Sequence, residues 1–168
     1  DVQDEMTKEQ DLLEKASIDG LTGALNRKSA EQRIAALMQD RDCKGYLFML
    51  DIDDFKTVND TMGHAIGDLA LITLVKYLKE HFRRDDIVGR LGGDEFIVFA
   101  ADSDKSAAEG IVKRVDEYLE NVNGTADKPY EVHASIGYHI ARANTKQTLY
   151  NLVTIADQIM YENKKRRK

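Results

Sequence analysis

The sequence offers no covalent scaffold: of its 168 residues only Cys43 is a cysteine. No internal disulfide can form, and a reducing, cytoplasmic setting is the expectation. Long apolar runs are also missing. None approaches the ~20 residues that a membrane-crossing helix needs, and no secretory leader pattern is present. Positive charge is in deficit, with 24 Lys and Arg against 30 Asp and Glu and a net charge of −6. That argues against a general nucleic-acid or anionic-membrane surface, while leaving room for a small phosphate ligand bound locally. His64, His81, His133 and His139 show no ligand spacing, which removes a histidine-based metal set. There is no internal repeat and no low-complexity segment. The chain opens on Asp1; the expectation is a piece of a larger protein whose upstream sensor or membrane domain lies outside it.

What is present suits one ordinary globular domain, 42% hydrophobic and 32% charged. Residues 1–17 are polar and helix-favouring, with Val2, Met6, Leu13 and Ala16 on a stripe that Glu9 interrupts. This reads as a linker or signalling helix ahead of a domain spanning 18–168, either solvated or the tail of a coiled coil. Asp19 to Arg27 is a turn-rich connector across which Asp19 and Arg27 could pair. An amphipathic helix is predicted over 28–40. Gly45 to Leu50 is a nearly continuous apolar run that ends abruptly in Asp51-Ile52-Asp53-Asp54. A buried central strand with acids at its C-terminal end is the reading, and ligands often bind at such strand ends.

A polar segment over 55–60 precedes a helix predicted at about 68–82. A strand, Gly-Gly turn and strand follow around Gly92-Gly93, then a helix over 105–122 ended by Asn123-Gly124. A strand from Tyr130 to Ile140 and a helix over 146–164 complete the chain. The order from residue 45 is β-α-β-β-α-β-α. The fold class is therefore α+β, with a ferredoxin-like βαββαβ core plus added N-terminal helices and a C-terminal helix.

The organising stretch is Arg90-Leu91-Gly92-Gly93-Asp94-Glu95-Phe96. Its glycines let a bulky anion approach the backbone. Asp94 and Glu95 give the hairpin oxygen ligands. If the first core strand pairs with this hairpin, Asp51 meets Asp94 and Glu95 at one sheet edge. Clustered carboxylates repel one another, and Mg²⁺ or Mn²⁺ relieves the repulsion while binding phosphate. The residues alone leave two readings open: a nucleotidyl-transfer or cyclase site, or a non-catalytic metal-binding or interaction domain.

Five ordered motifs narrow the choice. The hairpin resembles the signature of the GGDEF family, the diguanylate cyclases. Asp19-x-Leu21-Thr22-Gly23-x-Leu25-Asn26-Arg27 is similar to the family's entry motif. The stretch from Asp51-Ile52-Asp53-x-Phe55-Lys56-x-x-Asn59-Asp60 through Gly63-His64 and Gly67-Asp68 is similar to its substrate motif. Ser135-Ile136-Gly137 and Asp157-x-x-x-Tyr161-x-x-Lys164 resemble its late strand and final helix.

The resemblance implies a nucleotidyl-cyclase or palm-like fold and condensation of two GTP into cyclic di-GMP and two pyrophosphates across a homodimer. It implies Asp51, Asp94 and the Ile52 carbonyl as ligands of Mg²⁺ or Mn²⁺, with Glu95 as a further metal ligand or helper in deprotonation. Gly92 and Gly93 would give the phosphates room, and Lys56 and Lys164 would neutralise them. Phe55 falls in the substrate motif, and Asn59 and Asp68 would read guanine, favouring GTP over ATP. Arg83 and Asp86, with Arg90 assisting, would bind cyclic di-GMP as a feedback inhibitor. The competing reading within the family is a silent receptor for cyclic di-GMP or GTP.

Overall fold

The structure, a computed structural model, describes residues 1–123, 131–142 and 146–166, apart from the side chains at 13–15 and 122. In chain order the elements are α1 (Val2–Ala16), β1 (Leu25–Asn26), α2 (Arg27–Met38), β2 (Lys44–Ile52), α3 (Phe55–Met62) and α4 (His64–His81). Then come β3 (Ile87–Gly92), β4 (Glu95–Ala101), α5 (Lys105–Asn123), β5 (Ala134–Arg142) and α6 (Leu149–Arg166).

Strand β2 is apolar almost throughout because both its faces are covered. Phe48, Leu50 and Ile52 face a core shared with Leu71, Leu74 and Leu78 of α4 and Val115 and Leu119 of α5. Leu47 and Met49 face the opposite core, shared with Ile34 of α2 and Leu152, Ala156 and Met160 of α6. Side chains alternate along a strand, so Asp51 belongs to the α6 face. The sheet order is β1-β3-β4-β2-β5, with β2 antiparallel to both β4 and β5, and β1 parallel to β3. This is the ferredoxin-like βαββαβ arrangement, with α4 and α5 on one face and the added α2 and α6 on the other. Among the described residues no helix is long and apolar enough to cross a membrane.

Three local expectations change. The segment after β2 is helical, not merely polar: α3 spans Phe55–Met62, and α4 starts at His64 rather than near 68. Gly63, at φ 90°, breaks the two helices apart. Phe55 and Met62, at the two ends of α3, pack on the core, and eight residues are too few to show a helical period. The last strand begins at Ala134; Tyr130 and Gly124 lie outside the described residues. Asp19 does not pair with Arg27, whose partner is Glu31 at 3.1 Å; Asp19 meets Arg90 instead. The connector also contains β1, too short to show a pattern. Within it Asn26 caps α2 by accepting from the Ser29 N–H at 2.9 Å, and donates to the Ala16 carbonyl at the end of α1 at 2.6 Å.

Helix α6 lies directly on β5 because Gly137 has no side chain. A Cβ there would sit 2.1 Å from the Ala156 carbonyl oxygen and 2.3 Å from the Met160 nitrogen. Neither backbone atom can turn aside. Gly137→Ala is therefore expected to cost about 1–3 kcal/mol by overpacking, lowering Tm by roughly 2–12 °C for a domain of this size. Thermal unfolding checks this, and an unchanged Tm would refute the close approach.

Candidate active site

The tip of the β3–β4 hairpin is shaped by two glycines and one arginine. Gly92 pairs with Glu95, and a bulge lies between Arg90 and Gly92. The two-residue turn is consequently Gly93-Asp94, one position later than the Gly-Gly turn expected from sequence. Gly92 (φ 145°) and Gly93 (φ 52°) both occupy backbone regions that favour glycine. Arg90 donates twice to the Gly93 carbonyl, at 3.0 and 2.8 Å, and to both oxygens of Asp19 at 3.3 Å. Asp19 also accepts from the Thr22 backbone N–H (3.0 Å) and hydroxyl (2.7 Å). Burial works against the Asp19 carboxylate, but these bonds and the Arg90 charge outweigh it and hold its pKa below the ordinary value. Arg90 thereby ties the hairpin tip to the connector that follows α1.

Asp51 lies at the end of β2, opposite Glu95 in the β2–β4 ladder. Its Oδ2 accepts from Lys164 Nζ of α6 at 3.3 Å, and the side chain is 14% exposed. Its Oδ1 is buried with no hydrogen-bond partner. Burial, then a hydrogen bond and charge repulsion from Asp94, push the Asp51 pKa up to about 7, with Lys164 opposing. For Lys164, burial disfavours the ammonium, but Asp51, with help from Asp53 and Asp94, raises its pKa overall. Asn163, one residue earlier, donates to the Ile136 carbonyl at 2.7 Å and fixes this turn of α6 on β5.

Beyond Asp51 the chain turns through Asp54, left-handed at φ 51°, into α3. The Ser135 hydroxyl donates to Asp53 at 2.5 Å, and the Asp53 N–H donates to the His133 carbonyl at 2.7 Å. A cleft of 350 Å³ opens here, lined by Ile52, Asp54, Phe55, Lys56, Asn59, Asp94 and Lys164. Asp51 does not itself line the cleft; its partners Asp94 and Lys164 do.

The structure thus brings together Asp51, Ile52, Asp94, Phe55, Lys56, Asn59 and Lys164. Glu95, Gly92 and Gly93 are exposed at the tip and do not line the cleft. Asp68 is exposed on α4 and also lies outside the lining. Among the described residues no group of three His, Cys, Asp or Glu side chains is arranged to hold a metal ion; Asp51 and Asp94 form a pair, and Glu95, opposite Asp51 in the ladder, has its side chain exposed.

Arg83 and Asp86 sit at the far end of the hairpin, about 20 Å from the tip at ~3.3 Å per residue along β4. They line a separate 650 Å³ cleft with Arg33, Lys79 and Arg84. Both oxygens of Asp86 are engaged, accepting from the Arg83 N–H at 2.8 Å and the Ala101 N–H at 3.1 Å. Arg90 is not part of that cleft. The supporting bonds of Ser135 and Asn163 escaped the sequence, because a lone Ser or Asn carries no spacing signal.

A family model described as "Diguanylate cyclase, GGDEF domain" matches residues 16–168. The chain belongs to the GGDEF family. It is 33% identical over 150 residues to the probable diguanylate cyclase DgcJ of Escherichia coli K12, covering 87% of this chain and 29% of DgcJ. To the diguanylate cyclase DgcZ of the same strain it is 33% identical over 153 residues, covering 89% of this chain and 51% of DgcZ. The chain thus spans about half or less of these curated relatives. A solved microbial GGDEF domain, studied for its interaction with cyclic di-GMP, superposes with a TM-score of 0.78 at 30% identity, covering 92% of this chain and 94% of that one. The coiled-coil and GGDEF domain of DgcB from Caulobacter crescentus gives 0.88 at 20% identity, covering 98% and 88%, a likeness of fold.

The raised Asp51 pKa sets a sign for stability. The proton favours the folded state, so this group's contribution is full below its ordinary value of 3.8 and is lost as pH rises through about 7. Asp51→Asn cannot ionise. In metal-free protein at pH 8 it is expected to melt roughly 2–4 °C above the parent, the shift of about 1 kcal/mol. The gap closes as pH falls from 8 to 4, as thermal unfolding across that range would show. A variant less stable than the parent at pH 8 would contradict the assignment.

Proposed function

We propose that this GGDEF domain is catalytic, condensing two GTP into cyclic di-GMP. The observation that carries this reading is the Asp51–Asp94 pair with its orphaned buried Oδ1, beside a cleft that presents Lys56, Asn59 and Lys164. Two carboxyls in contact, one with an unmet acceptor, fit a hard divalent cation such as Mg²⁺ or Mn²⁺. Asp51, Asp94 and the Ile52 carbonyl would hold it. When bound, such an ion lowers the pKa of a sugar hydroxyl and neutralises phosphate charge.

The chain's own residues supply binding and orientation. Lys164 spans the carboxylate pair and the cleft, where it neutralises triphosphate charge with Lys56. Gly92 and Gly93 leave the tip without side chains that would crowd the phosphates. Phe55 lines the base end, and Asn59 and Asp68 read guanine through donors and an acceptor that adenine does not match. Glu95, opposite Asp51 in the ladder with its side chain exposed, would either share the ion or help remove the proton from the 3′-hydroxyl. The 3′-oxygen of one GTP then attacks the α-phosphorus of the other, the bond to the β-phosphate oxygen breaks, and pyrophosphate leaves. The step repeats with roles exchanged. One cleft holds one nucleotide, so catalysis requires a homodimer with two clefts facing each other. Arg83, in the distant cationic cleft, binds the product and couples it to turnover; Asp86 shapes that turn, and Arg90 acts from the tip.

Incubation with GTP and Mg²⁺ at high protein concentration, with products resolved by chromatography, tests this. The parent is expected to make cyclic di-GMP and Asp94→Ala at least 100-fold less. Added cyclic di-GMP should inhibit the parent but not Arg83→Ala. No product at any concentration, with cyclic di-GMP still bound through Arg83, would establish the receptor reading instead.

A further inference from the structure

We propose that Gly67 is a positioning residue for base recognition: the space of its missing side chain seats the Asn59 carboxamide. Gly67 is buried inside α4, outside the left-handed region that would call for glycine. Gly67 is the fourth residue of the helix, and glycine within a helix is a poorer choice for stability than alanine, which loses less chain entropy on folding. The need lies in space. A Cβ at this position would fall 1.8 Å from Asn59 Oδ1, 2.9 Å from Asn59 Cγ and 3.4 Å from the Phe55 ring. Two residues that line the nucleotide cleft therefore rest on this one notch.

Asn59 Oδ1 is buried and has no hydrogen-bond partner. No bond fixes it, so its orientation is set by packing against Gly67. Asn59 as a whole stays partly exposed and lines the cleft. A carboxamide carries a donor end and an acceptor end. Seating one end fixes the direction of the other, which turns a rotatable amide into a base reader. Asp68 follows directly in the chain, so α4 holds the amide with one residue and presents a carboxylate with the next. This inference rests on the guanine-reading role proposed for Asn59.

The test measures affinity for non-hydrolysable GTP and ATP analogues, with Mg²⁺, in the parent, Asn59→Ala, Gly67→Ala and the double variant, with thermal unfolding of each. Gly67→Ala is expected to lose at least tenfold of the guanine-over-adenine preference, through weaker guanine binding alone. Asn59→Ala should lose as much, and the double variant no more than either, the non-additivity of two residues acting as one. Full preference in Asn59→Ala would remove the reading of Asn59 and this inference with it. Lost preference in Asn59→Ala but not in Gly67→Ala would overturn the inference alone. Should Gly67→Ala unfold, adding Asn59→Gly is expected to restore its Tm. Failure to do so would place the clash elsewhere and also overturn the proposal.

Discussion

Two carboxyl groups in contact at the end of a buried strand are the constraint on which this molecule turns. Asp51 belongs to the sheet face covered by α6, and Asp94 is held against it by the hairpin turn. Left to themselves the two repel in a setting where water cannot screen them well, and Asp51 responds by holding its proton to about pH 7. Lys164 offsets part of that cost at 3.3 Å. The balance is deliberately incomplete, since one Asp51 oxygen has no partner. Such a defect is costly in a structural core and useful in a site that a cation completes.

Holding the groups in place takes a larger part of the fold than the site itself. The close seat of α6 on Gly137 and the bond from Asn163 to Ile136 deliver Lys164. Arg90 grips the Gly93 carbonyl and so fixes the turn that carries Asp94. Its other hand is on Asp19, so the same side chain links the site to the segment after α1. The Ser135–Asp53 bond and left-handed Asp54 aim α3, and with it Lys56 and Asn59, across the strand end.

Patterns that repeat were legible in the sequence. The apolar run of β2, the helical periods of α4 to α6 and the acids after Leu50 and Gly93 gave the βαββαβ order and the pairing of Asp51 with the hairpin. What escaped was set by single contacts. Helix α3 is only eight residues long, with its core-packed Phe55 and Met62 at opposite ends, so its period is too short to read. The turn moved one residue because a bulge shifts the register between Arg90 and Gly92. Arg27 was the nearer partner for Asp19 in sequence; Arg90, 71 positions away, is the nearer one in space. Glu95 falls beside Asp51 in the ladder, but its side chain is exposed where that of Asp51 is largely buried.

The most direct test of this account is a carbon-13 NMR titration of the aspartate carboxyls in metal-free protein, with Asp51 assigned by the signal lost in Asp51→Asn. A midpoint near 7, falling below the ordinary carboxylate range when Mg²⁺ and a non-hydrolysable GTP analogue are added, is the predicted result. A midpoint near the ordinary 3.8, unmoved by the ion and nucleotide, would contradict the claim that the carboxylate pair is an unfinished cation site.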